Sequence, residues 1–267
     1  MEARSSSEID WRDAAPYAPL VEADRSLFAW EWLRRDPYYR AAAESAGVLG
    51  ASDSCEDPAA AAFGLVAFEW PDRAVPNARP LWRPDVHPHV LTVERVEAAS
   101  SGDEFDLHPV ADLATLVAGP GGDHLLLSDG LRTVRLDGPC GSFSRGPACL
   151  RYRLEGLASA EPPLLALRRF LALCRMGHFA RSLHAPEARA RRWILMLRAR
   201  DALAAGAGQR EIAKVLLSRS AAQPRWRSSE PSLRSQAQRL VRSARVMAGG
   251  GYLALLASDP AGKIRRT

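Results

Sequence analysis

Apolar positions recur at helical spacing toward both ends of the chain and at strand spacing between them. Residues 26–35 read Ser-Leu-Phe-Ala-Trp-Glu-Trp-Leu-Arg-Arg, with Leu27, Trp30 and Leu33 along one side, which predicts a short amphipathic helix. Asp24 or Ser26 is placed to cap it. Asp36-Pro37 ends it, because a residue before proline disfavours helical backbone. Between residues 63 and 156 the apolar runs shorten and are broken by proline and glycine. Residues 64–70, 90–96 and 148–154 alternate as strands do. Residues 124–136 read as a hairpin turned at Asp129-Gly130, where glycine accepts a positive φ. After Pro162-Pro163 helical spacing returns and holds to about residue 257. Leu164, Leu167, Phe170, Leu171 and Cys174 mark one helix. Trp193, Ile194, Leu197 and Leu203 mark a second over residues 187–204, stopped by Gly206.

These periods define an α+β chain in three pieces. Residues 1–50 are aromatic-rich and helical, residues 51–160 β-rich and mostly antiparallel, and residues 161–267 all-helical. In the first piece Trp11, Tyr17, Phe28, Trp30, Trp32, Tyr38 and Tyr39 cluster, which reads first as a small core and second as a partner surface. Residues 44–60, small and polar, read as a linker.

The last piece carries the candidate chemistry. A helix ending at Gly206, then a short one over residues 209–217, have the shape of a helix-turn-helix entry. The short helix places Ile212, Val215 and Leu216 at i, i+3 and i+4, small Ala213 where helices approach, and Arg210 near its start. The stretch 233–247 is more informative. At about 100° per residue, Leu233, Ala237, Leu240, Val241, Ala244 and Met247 share one side. Arg234, Gln238, Arg242 and Arg245 gather on another, beside Arg239 and Ser235, and no acid interrupts them. In a major groove Arg bonds bidentately to guanine and Gln to adenine, while spare arginines meet phosphate. The plain alternative is a solvated basic surface on a core helix. Ahead of this helix, residues 218–232 form a long connection in place of a three- or four-residue turn. There Arg225 and Arg227 flank Trp226, either to meet phosphate or with Trp226 plugging the core.

Charge distribution moves the balance toward nucleic acid. The net charge of +5 hides a polarised molecule: residues 1–162 hold 15 Arg and 26 acids, net −11, while residues 163–267 hold 21 basic residues and 5 acids, net +16. A basic half of that strength attracts polyanions, unless the two halves neutralise each other within the molecule or an oligomer. The arginine excess alone is weak, since only Lys214 and Lys263 are lysine and a GC-rich genome favours Arg and Ala.

Other chemistries fare poorly. Cys55, Cys140, Cys149 and Cys174 are scattered without a CxxC pair, as free thiols of a reducing cytoplasm are. No run of 18 apolar residues is present, and the polar, acidic start lacks the apolar stretch of a secretory signal. His87-Pro-His89 has no partners at metal spacing. Residues 119–122 lack the Lys-Ser/Thr of a phosphate loop, and residues 141–146 miss the Gly-x-Ser-x-Gly spacing. Neither an enzyme, a cofactor nor a metal is expected.

Residues 209–216 (Gln-Arg-Glu-Ile-Ala-Lys-Val-Leu), 233–245 and 250–256 resemble the signature of the RovC-type DNA-binding domain. That family is similar to regulators of type VI secretion and of integrative conjugative element transfer. Asp10-Trp-Arg-Asp13, Tyr17 and residues 28–39 resemble the transcriptional-regulator-like domain often placed before it, and residues 126–136 and 149–156 resemble the family's β-rich section. The resemblance implies a helix-turn-helix variant with DNA contact at Arg234, Gln238, Arg239, Arg242 and Arg245. It implies a cytoplasmic, sequence-specific activator of a bacterial operon such as a mobile-element transfer or secretion cluster. Double-stranded DNA is the expected partner, with RNA polymerase or a regulatory protein beside it and no membrane. Because one helix reads few base pairs, a homo-oligomer on two half-sites is expected. The rival is an antiactivator or adaptor that uses the same fold to bind a protein instead of DNA.

Overall fold

A computed structural model of the chain describes residues 9–47, 56–97, 102–217 and 230–257. It is α+β: helices at the two ends and one six-stranded sheet between them. The helices are α1 (Arg25–Leu33), α2 (Pro37–Ser45), α3 (Glu161–Met176), α4 (Ala190–Ala204), α5 (Gln209–Ile212) and α6 (Glu230–Ala248). The strands are β1 (Val90–Val96), β2 (Glu104–Phe105), β3 (Ala114–Gly119), β4 (Gly122–Ser128), β5 (Thr133–Gly138) and β6 (Ala148–Arg153), in the order β2-β6-β1-β5-β4-β3.

Pairing is antiparallel except where β1 lies parallel to β5, with Val90 opposite Arg135. The expected hairpin is β4–β5, which closes at Ser128 and Thr133 around Gly130, whose φ is +94°. Alternation sorts the side chains. Leu91, Val93, Leu125, Leu127, Val134 and Leu136 face Ala166, Phe170 and Leu173 of α3. Val117 and Leu126 on the opposite face meet Val66 and Leu81. β4 is therefore covered on both sides, and all of its residues are buried.

One expected strand is absent. Residues 64–70 contribute only a single bridge, Leu65 to Trp82, because Gly64 turns the chain at φ +77° and Pro71 follows. The run instead serves as a cover over the sheet's second face. Two smaller differences concern helix ends. The second carboxy-terminal helix starts at Ala190, not 187. The sequence reading missed α2 altogether: α1 stops at Leu33, and Asp36 caps α2, its Oδ1 accepting from Tyr38 N at 2.7 Å, with Pro37 in the first turn. Asp24 does not cap α1 through its side chain; its Oδ2 accepts from Thr133 N at 2.7 Å and ties the helix to β5.

The aromatic cluster forms a core, and that core is shared. Trp11, Phe28, Trp30, Leu33 and Tyr39 pack with Trp82 and with Trp193, Leu197, Ile212, Val241 and Leu256 from the other end of the chain. Phe28 meets Trp193 edge-on at 5.1 Å, while Tyr38 stays 80% exposed. Through this core runs a chain of charges. Glu31 accepts from Arg34 Nε at 2.8 Å, from Arg35 and from Val75 N at 2.8 Å. Arg35 Nε reaches Asp201 Oδ1 on α4 at 2.9 Å, and Asp201 Oδ2 also accepts from Tyr17 Oη at 2.7 Å. Burial drives the Glu31 carboxyl up, but Arg35 and Arg34 more than offset this and hold it below its usual range.

A buried pair with one partner removed leaves a charge uncompensated. Asp201→Ala should destabilise the chain by about 3–5 kcal/mol, read as a lower urea midpoint at unchanged slope. A double change of Arg35→Met with Asp201→Leu should recover part of that loss. Because α4 takes its core from residues 11–39, the isolated 161–267 segment should melt well below the full chain or aggregate, as judged by near-UV circular dichroism. Independent folding of the three segments thus stands as a proposal that the same fragment tests.

A second expectation concerns pH. His87 Nδ1 lies 3.1 Å from the Leu256 carbonyl, and its ring is 5.2 Å from that of His89. Burial, then the neighbouring His89, holds His87 at about 4; burial, then Arg169, does the same for His89. Both rings stay neutral in the folded chain and protonate near 6.5 when it unfolds. Stability is then intact above pH 6.5 and falls as pH drops toward 4, by about 1–2 kcal/mol per ring at pH 5. Urea midpoints from pH 7.5 to 5 should show the slope, and the H87N/H89N double variant should flatten it.

Candidate nucleic-acid interface

α4 ends where Gly206 takes φ +77° and Ala207 N bonds back to the Ala202 carbonyl at 2.8 Å, closing the helix with a tight reversal. α5 follows at once, and its Ile212 is fully buried against the shared core. Residues Ala213–Leu217 continue α5 as a π-helical turn, which rotates Val215 outward to 37% exposure instead of into the core. Arg210 and Lys214 are both exposed on this short element.

α6 lies across α4 and α5. Its expected apolar side is the buried side: Ala237, Val241, Ala244 and Met247 are enclosed, with Leu233 and Leu240 half-buried. Val241 and Ala244 join Leu197, Ala199 and Ala202 of α4, and the small alanines let the two helices approach closely. With that side fixed, the 3.6-residue period turns the other one outward. Arg234, Gln238, Arg239, Arg242 and Arg245 are all exposed. Arg239 Nη1 donates to Ser235 Oγ one turn back at 2.9 Å, which holds its guanidinium along the helix surface. Among the described residues no carboxylate lies within salt-bridge reach of Arg234, Arg239, Arg242 or Arg245. Arg225 and Arg227 fall outside the described residues. The sequence reading missed Val246, which is 62% exposed among these arginines. Its signal was available, since it falls outside the apolar arc of the helix.

The carboxylates of this half are spent elsewhere. Of its five acids, Glu187, Asp201 and Glu211 have described side chains, and each pairs with an arginine from the first 40 residues. Arg25 meets Glu187 at 2.6 Å, Arg35 meets Asp201 at 2.9 Å, and Arg12 meets Glu211. These pairs run opposite to mutual neutralisation of an acidic first half by a basic second half. They remove negative charge from the helical module and so raise its positive potential.

A helix-turn-helix variant carrying an unneutralised Arg/Gln face is the arrangement of a DNA-binding transcriptional regulator. The comparisons with known proteins point to the same class. Residues 159–257 match the RovC DNA-binding family, described as a type VI secretion transcription factor DNA-binding domain, and residues 10–65 match the proteobacterial transcriptional regulator-like domain. The chain thus carries a RovC-type DNA-binding domain behind a regulator-like domain. The first match takes in α3, the helix that packs on the sheet, and the second extends past α2 to Leu65. No curated protein and no solved structure matches the chain. Among the described residues no helix is long and apolar enough to cross a membrane, and no group of His, Cys, Asp and Glu is assembled to hold a metal.

Proposed function

We propose that this chain is a sequence-specific regulator that lays α6 in the major groove and activates a bacterial operon such as a mobile-element transfer or secretion cluster. The observation that carries the reading is the exposed row Arg234, Gln238, Arg239, Arg242 and Arg245, unopposed by carboxylates among the described residues and seated on a helix whose other side is locked in the core. In this reading Arg234, Gln238 and Arg242 meet base edges. Arg239, tethered to Ser235, and Arg245 meet phosphate. Val246 supplies an apolar contact of the kind a thymine methyl accepts. Arg210 and Lys214 on the short element, with Arg225 and Arg227 on the connection to α6, extend the phosphate contacts. Two copies on a two-fold site supply the affinity that one helix lacks, and RNA polymerase or a regulatory protein is the second partner.

The test uses the full chain, since α4 shares its core with residues 11–39. Anisotropy on upstream DNA from the gene's own neighbourhood, titrated in salt against random competitor, should show binding that survives competition. Its salt dependence should be steep, the logarithm of affinity falling by about 0.9 per phosphate contact for each decade of salt. Arg242→Ala or Arg234→Ala should weaken the cognate site by about 1–3 kcal/mol, roughly 5- to 150-fold, and random DNA far less. Equal losses on both would move that arginine to phosphate. Binding no better than random would move the function to a partner-binding antiactivator. Sedimentation showing only monomer, with and without operator, would sink the oligomer.

A further inference from the structure

Where the regulator-like segment, the sheet and the carboxy-terminal module meet, the fold leaves a cavity of about 220 Å³. Asp24 and Arg25 border it from the start of α1, His87 and His89 from the loop entering β1, Arg169 from α3, and Leu256 from the segment after α6. The hydrogen-bonding capacity of this lining is unevenly filled. Its carboxylates are already engaged: Asp24 accepts from Thr133 N at 2.7 Å and Thr133 Oγ1 at 3.2 Å, and Glu187 pairs with Arg25. Arg25 and His87 among its nitrogen groups are engaged too, with Glu187 and the Leu256 carbonyl, but three others are not fully used. Arg169 uses Nε on the Leu183 carbonyl at 2.9 Å, and among the described residues its two terminal amino groups make no hydrogen bond, although the Asp24 carboxylate acts on its charge. His89 Nδ1 is buried without a partner. Arg135, which also lines the cavity and is only 3% exposed, gives Nε and Nη2 to Asp137 and leaves Nη1 buried and unpaired.

Buried polar groups without partners are rare, and each costs free energy that a ligand can return. What these nitrogens lack is partners, above all acceptors for the arginine N–H groups, around a small and partly open space. We infer that this cavity binds a small anion, a carboxylate or phosphate compound of a few heavy atoms, with Arg169 as its principal partner and His89 beside it. Arg169 suits the role because its planar fork is half used and its free edge matches two oxygens of one anionic group. The apolar part of the lining, from Trp82 and Leu256, fits a short carbon skeleton better than a bare ion. A molecule held there touches all three segments of the chain. It would stabilise the folded state by mass action, independently of whether α6 reads DNA.

The experiment is thermal unfolding of the full chain with inorganic phosphate, malonate and citrate, each titrated to saturation at constant ionic strength, with glycerol as the uncharged control. We expect a saturable rise in Tm of roughly 3 °C or more with at least one anion and none with glycerol. The rise should vanish in R169Q and in H89A, the half-buried histidine giving a second variant should the first fail to fold. It should persist in R242A, which removes an arginine from the exposed face of α6. Phosphate acting alone would assign the site to phosphoryl compounds, and malonate or citrate acting alone would assign it to organic acids. A rise that is absent with every anion, that survives in both cavity variants, or that disappears in R242A would overturn the inference.

Discussion

The buried run Glu31–Arg35–Asp201 is the constraint on which the arrangement of this molecule depends. It joins the carboxy-terminal end of α1, through Glu31 and Arg35 just beyond the helix, to the last turn of α4 across a core that excludes water, and every member has its partners. Such a chain of charges is demanding in geometry: desolvation is costly, so the pairing tolerates one docking and no other. Around it the apolar contacts accumulate, with Phe28 against Trp193 and Trp30 against Tyr39. Tyr17 adds its hydroxyl to Asp201, and burial together with that carboxylate raises its own pKa. The position of α4 follows from these interactions. Because α6 packs on α4, the orientation of the arginine face relative to the rest of the protein follows too.

This dependence gives the regulator-like segment a physical role. It supplies three arginines that occupy Glu187, Asp201 and Glu211 of the helical module, and aromatic side chains that complete that module's core. The same contacts hold the α4–α5–α6 unit in shape and leave its surface more positive. The sheet has a comparable relation with α3, whose Phe170 packs edge-on with Phe105 at 5.0 Å. Asp24, bonded to Thr133, fixes α1 to the strand next to β1. The segments therefore interlock pairwise, instead of hanging from linkers.

Much of this was legible in the sequence because it rests on local periodicity. The core and Arg/Gln sides of α6 follow from angles along one helix, and the structure places Val241 inside and Arg242 outside as those angles require. The β4–β5 hairpin was legible through Asp129-Gly130. What periodicity cannot show is which element covers which. Residues 64–70 alternate like a strand in sequence, yet the folded backbone does not keep that alternation: Val66 faces Leu126 while Phe68, two residues on, turns to Tyr39. Arg35 and Asp201 are 166 residues apart, and no local pattern pairs them. Val215 follows a helical register that the π-helical turn breaks. Val246 was visible on the wheel, but an apolar residue on a basic face reads as noise until its exposure is known.

The shared core also sets an order in time. Trp11, Phe28 and Trp30 leave the ribosome long before Trp193, Val241 and Leu256, which complete their packing. Contacts so distant along the chain are slow to form. During synthesis the aromatic segment therefore waits, exposed, for the last helices, and it is a natural client for a chaperone. A chain truncated before α6 would leave that core without Val241, Ala244, Met247, Tyr252 and Leu256, so the arginine-bearing helix and the closure of the aromatic core arrive together.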